Sequence, residues 1–177
     1  MKHTNIEIKA KCNNHDSVRK ILLSGNAEFK GVDHQIDSYF EVNAGRLKLR
    51  EGNIENALIH YNREDKDEPK ESDVLLYKTS KNSLLKELLT KALGKTVTID
   101  KEREIYFIDN VKFHLDKVKD LGNFVEIEAI GNDSEDKNSL MQQCKFYLNL
   151  FGIAKEDLIP VSYSDMLLNA QAYEILT

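Results

Sequence analysis

A chain of 177 residues with 41% apolar side chains is long enough to bury one sizeable core. Two prolines and no Ser/Gly-rich stretch leave no candidate linker, so a single domain over 1–177 is expected. Charged residues make up 31% of the chain yet nearly cancel, to a net charge of −5. That balance excludes a global pull towards nucleic acid or membrane, so any anion site must be local. No apolar run approaches the roughly 20 residues that cross a bilayer. Cys12 and Cys144 stand apart, outside CxxC or metal-ligand spacing, the pattern of reduced thiols in a cytoplasmic protein.

Two-residue alternation, enriched in β-branched and aromatic side chains, predicts about eight strands. The first covers 5–11. A helix follows over 16–24, with Val18, Ile21 and Leu22 on one side and Gly25 as its stop. Strands come next at 37–42, at 46–51 after the turn Asn43-Ala44-Gly45, and at 57–63. Residues 64–73, EDKDEPKESD, hold no apolar side chain and read as an exposed loop. After a strand at 74–79, a helix over 82–93 carries Leu84, Leu85, Leu88 and Leu89 and ends at Gly94. Strands at 96–107, 111–118 and 122–130 are joined by short turns, which favour antiparallel neighbours. A helix over 134–151 has a broad apolar stripe, and 163–170 is a last helix candidate.

The polar faces of these strands are patterned. Arg46, Lys48 and Arg50 share one side of one strand, Glu7 and Lys9 share another, and Lys101 pairs with Arg103 in the same way. Lys112, His114 and Asp116 oppose Val111, Phe113 and Leu115, and Glu126 and Glu128 oppose Val125, Ile127 and Ala129. For one strand alone, a solvated face accounts for such alternation. For all of them together, with apolar helices to be packed, a closed sheet with its polar side inward is the better account. The predicted fold is α+β: a closed eight-stranded antiparallel β-barrel with helices packed outside. Cations crowded inside it would repel one another unless an anion joined them, and the carboxylates would suit Mg²⁺ or Mn²⁺.

These residues resemble the CYTH superfamily, the triphosphate tunnel enzymes that include class IV adenylyl cyclases and thiamine triphosphatases. Asn5-Ile6-Glu7-Ile8-Lys9 is similar to its N-terminal ExExK signature, with Asn5 where the first glutamate stands. Segments 35–40, 45–50, His114-Leu115-Asp116, Glu126-Ile127-Glu128 and 163–167 follow in the order of the class IV cyclase-like branch, so the resemblance spans the chain as one CYTH-like domain, 1–177. It implies Glu7, Asp116, Glu126 and Glu128 as ligands of Mg²⁺ or Mn²⁺. It further implies Lys9, Lys48, Arg50, Lys101 and Arg103 as phosphate contacts, with Arg46 and Arg63 as additions. His114 on the same face is a further phosphate-contact candidate. Lys9, Arg50 and Glu128 are the expected catalytic residues.

The implied activity is conversion of ATP to cyclic AMP and pyrophosphate. The alternatives are hydrolysis of inorganic triphosphate or of an organic triphosphate such as thiamine triphosphate, and binding of phosphorylated metabolites without turnover, which the neutral Asn5 favours. The expected partner is a small-molecule triphosphate, with no nucleic acid or membrane, on a monomer or homodimer.

Overall fold

The computed structural model describes residues 2–63, 69–81, 83–131 and 136–176. Eight strands among them close into one ring: β1 (Lys2–Lys11), β2 (Glu28–Phe40), β3 (Arg46–Glu51), β4 (Asn56–Arg63), β5 (Lys70–Lys78), β6 (Lys95–Ile108), β7 (Val111–Val118) and β8 (Gly122–Gly131). Their order around the ring is β1-β5-β4-β3-β2-β6-β7-β8, and β8 returns to β1, so every neighbouring pair is antiparallel. The helices are α1 (His15–Ser24), α2 (Leu85–Leu93), α3 (Lys137–Leu150) and α4 (Tyr163–Leu176). None of the described helices is long and apolar enough to cross a membrane.

Closure inverts the usual placement of a core. The main apolar cluster lies outside the ring, where Val18 and Leu22 of α1 and Leu140 and Cys144 of α3 cover Ile6, Ile8, Phe113, Leu115, Val125 and Ile127. Leu89 of α2 packs separately on Phe40 and Leu49. The α+β closed barrel expected from strand alternation is therefore the fold observed. A third cluster lies within the ring at one end, where Tyr163, Met166 and Leu167 of α4 pack against Tyr39, Tyr61, Val118 and Phe124. That end is capped.

Three sequence expectations need correction. β2 begins at Glu28, not at residue 37, because its inner face carries the buried polar stripe Asp33, Gln35 and Asp37 and so shows no apolar alternation. β5 begins at Lys70, within the expected loop, since closure needs β1 to pair with it through Asn5↔Ser72 and Glu7↔Lys70. Residues 64–68 of that loop, Asn82, and 134–135 lie outside the described residues. The interior is also not polar throughout. Ala57, Ile59 and Tyr61 of β4 with Val74 of β5 are buried in the inner cluster, giving the tunnel one apolar wall.

Candidate active site inside the tunnel

The lumen encloses a cavity of about 560 Å³, within the size range of small-molecule sites. Its acidic side is built by cross-strand register: Glu7 of β1 stands opposite Glu128 of β8, and Lys9 opposite Glu126. Asn5 donates from Nδ2 to Glu128, while its own Oδ1 is buried and has no hydrogen-bond partner among the described residues. Burial raises the Glu128 carboxyl above its ordinary range, and repulsion from Glu7 and Glu126 adds to this against the pull of Lys112. Lys9 is held 3.4 Å from Glu126, 3.3 Å from the Val161 carbonyl, and 3.9 Å over the Tyr163 ring.

The cationic side rests on two carboxylates placed behind it. Asp37, 1% exposed, accepts from Arg50 Nε at 2.8 Å and Nη2 at 2.9 Å, from Lys101 Nζ at 2.7 Å and from Lys48 Nζ at 3.1 Å. Asp116, fully buried, accepts from Arg103 through both Nε and Nη2 and from the Tyr163 hydroxyl at 2.8 Å. Such bidentate pairs fix the guanidinium planes. Burial lowers Lys101 to about 7, with Arg50, Arg103 and Lys48 adding repulsion against the attraction of Asp37. Burial likewise brings His114 to about 3, reinforced by Arg103 and Lys112, so its imidazole is neutral at neutral pH beside Glu126 at 3.3 Å.

At the uncapped end, Asp33 organises the turn before β4. It accepts from the backbone N–H of Ile54 at 2.8 Å and of Glu55 at 2.9 Å. Gly52 leaves room for this: a Cβ there would lie 2.7 Å from both Asp33 oxygens and 2.6 Å from the Glu55 carbonyl. Gly52→Ala is expected to cost about 1–3 kcal/mol by overpacking, measured as a drop in thermal midpoint.

The ring thus brings Lys9, Lys48, Arg50, Lys101, Arg103, His114, Glu7, Glu126 and Glu128 to one cavity. Asp116 does not line it, because Arg103 and Tyr163 occupy its oxygens behind the wall. Arg46 turns to Asp165 of α4 at 2.8 Å and stands outside the cavity lining. The side chain of Arg63 lies outside the described residues. Four residues were not foreseen at the site: Asp37, Glu55, Lys112 and Tyr163. Counting back from Tyr39 in steps of two reaches Asp37, and Lys112 shares the face of His114, so both were within reach of strand periodicity.

A closed antiparallel tunnel with cations on one wall and paired carboxylates on another defines a charged-lumen β-barrel. The chain belongs to the CYTH domain family, whose description matches residues 3–163. A Methanocaldococcus jannaschii protein named "Putative adenylate cyclase" is 25% identical over 172 residues, covering 91% of this chain and 97% of that one. Among solved structures, a conserved hypothetical protein from Pyrococcus furiosus has a TM-score of 0.78 at 24% identity, covering 91% of this chain and 98% of its own. A "Putative adenylyl cyclase" from Hippeastrum, described as having a dominant triphosphatase activity, has a TM-score of 0.60 at 12% identity and covers 96% of both chains.

Proposed function

We propose that the tunnel binds a triphosphate together with Mg²⁺ or Mn²⁺ and turns it over in the manner of a class IV adenylyl cyclase, from ATP to cyclic AMP and pyrophosphate. One observation carries this reading: Lys48, Arg50, Lys101 and Arg103 meet Glu7 and Glu128 in one lumen. The acidic side fits a hard divalent ion. Glu7 and Glu128 are like charges set directly opposite each other, and the buried Asn5 Oδ1 adds an unpartnered oxygen beside them. Among the described residues no three carboxylate, histidine or cysteine groups converge as a self-sufficient metal cage. Mg²⁺ is commonly shared between one or two carboxylates and substrate phosphates. Glu7 and Glu128 would hold the ion, which would neutralise charge on the phosphate oxygens it touches.

The protein's own side chains then do the remaining work. Arg50 and Arg103 arrive with planes fixed by Asp37 and Asp116, so phosphate groups meet pre-oriented guanidiniums, although at Arg50 Nη1 they compete with Glu55. Lys9 and Lys101 add ammonium donors, held in place by Glu126 and Asp37. In the cyclase reading the ribose 3′-hydroxyl attacks the α-phosphorus, and these cations take up charge on the departing pyrophosphate. The description of the Hippeastrum neighbour favours a second reading, hydrolysis at the terminal phosphate by the same residues. Incubation with Mg²⁺ or Mn²⁺ and ATP, inorganic triphosphate or thiamine triphosphate separates them by product. Cyclic AMP supports the first and orthophosphate the second; tight binding without product makes the chain a binder, and no saturable binding rejects the triphosphate site.

Lys101 supplies a signature of the anion site. Burial lowers its pKa to about 7, against 10.5 for an ordinary lysine. A bound polyanion stabilises the charged form and raises that value. Binding at pH 8 is therefore expected to take up close to one proton per site, read as a buffer-dependent heat in calorimetry, and Lys101→Met should abolish the uptake. By linkage, the unfolded chain holds this proton from pH 7 to about 10 when the folded one does not, so Lys101 makes the empty protein more stable as pH rises through that window.

A further inference from the structure

At the uncapped end of the tunnel Glu55 is strapped across part of the lumen. Its Oε2 accepts from Arg50 Nη1 at 2.9 Å and Gln35 Nε2 at 3.2 Å, and its Oε1 accepts from Lys112 Nζ. Glu55 directly precedes β4 while Lys112 belongs to β7, and these strands stand four places apart in a ring of eight. The Glu55 backbone is bonded to Asp33 of β2, two places from β7, so the ion pair links strands that are not ring neighbours across part of the lumen. It is not a chance surface contact, since Glu55 is only 28% exposed and its backbone is pinned by the fully buried Asp33.

At this end the lining also includes Lys78, opposite Ala57, but Glu55 places a carboxylate between Arg50 and Lys112. Arg50 and Lys112 already carry a carboxylate there, and the neighbouring cavity lining is Ile54, Phe107 and Ile130. A phosphate extending this far along the tunnel would meet Glu55 as a like charge and would have to displace it from both cations. An uncharged or aromatic group would meet apolar surface. At the other end, Tyr163, Met166 and Leu167 of α4 pack against the inner face of the ring.

Resting on the triphosphate reading above, we infer that Glu55 is a specificity-determining residue: it fills the place of a further phosphate, so the tunnel selects organic triphosphates, whose non-phosphate group emerges at the apolar mouth, over longer inorganic polyphosphates. Arg50 and Lys112 hold the Glu55 carboxyl well below its ordinary range although burial opposes this, so the charge that rejects the extra phosphate is present at neutral pH. The selection is electrostatic, made by a misplaced like charge.

The test is calorimetric titration of wild type and Glu55→Gln with ATP, thiamine triphosphate and inorganic tetrapolyphosphate at fixed free Mg²⁺. Wild type is expected to bind the better organic triphosphate at least about tenfold more tightly than tetrapolyphosphate, and Glu55→Gln to reduce that preference by about tenfold or more. Equal binding by wild type, or an unchanged preference in the variant, overturns the assignment. Glu55→Asp keeps the charge but is one methylene too short to bridge both cations. It should weaken the preference in the same direction, and it provides the measurement if the glutamine variant does not fold. Wild type that binds tetrapolyphosphate best still has an anion tunnel and sinks only the role of Glu55; wild type that binds none of the three sinks the triphosphate reading as well.

Discussion

Arg103→Ala is expected to lower the unfolding free energy by about 3–5 kcal/mol, the cost of leaving a buried charge without its partner. Asp116 is fully buried, and Arg103 meets it with two donors while reaching Glu126 at 2.7 Å with the same Nη2. After the substitution Asp116 keeps only the Tyr163 hydroxyl, and Glu126 keeps Lys9 and His114. Denaturant unfolding of the ligand-free protein measures the loss. A drop below about 1 kcal/mol would mean that water reaches Asp116 and that the pair behaves as a surface contact. Asp116→Asn in the alanine background should recover part of the loss, because the neutral amide removes the stranded charge.

Glu128→Gln is expected to act in the opposite way, with metal-dependent turnover falling at least about 100-fold while stability holds or rises. Burial and the neighbouring Glu7 and Glu126 raise this carboxyl above its ordinary range, so its ionised form costs folding energy at neutral pH. Glutamine keeps an oxygen that can accept from Asn5 Nδ2 and removes the charge. Activity assays across a Mn²⁺ titration, paired with thermal unfolding, read both effects on one sample. Loss of stability together with unchanged metal dependence would place Glu128 among the structural carboxylates and remove it from the metal site.

How far the sequence carries a reader depends on which strands face each other. Within a strand, alternation is enough: Arg46, Lys48 and Arg50 on one face, or Glu126 and Glu128 on another, follow from a two-residue period. The inner stripe of β2 was missed because Asp33, Gln35 and Asp37 are polar residues buried inside, while Val32, an apolar one, is exposed on the outer face. Its alternation is inverted relative to the usual rule. The apolar wall of Ala57, Ile59 and Tyr61 was hidden for the converse reason, since Leu58 and His60 between them are no more polar as a pattern. Glu55 lies before its strand begins, so periodicity says nothing of it. Only ring closure, which sets β4 opposite β7, and the hold of Asp33 on its backbone bring it to Lys112.

The capping of one end by Tyr163 and α4 has a kinetic corollary. In the proposed reading, a group seated beside Lys9 and Tyr163 lies at the helix-covered end, with the rest of the ligand between it and the mouth. Departure through the mouth is then sequential, and the deepest group follows the others.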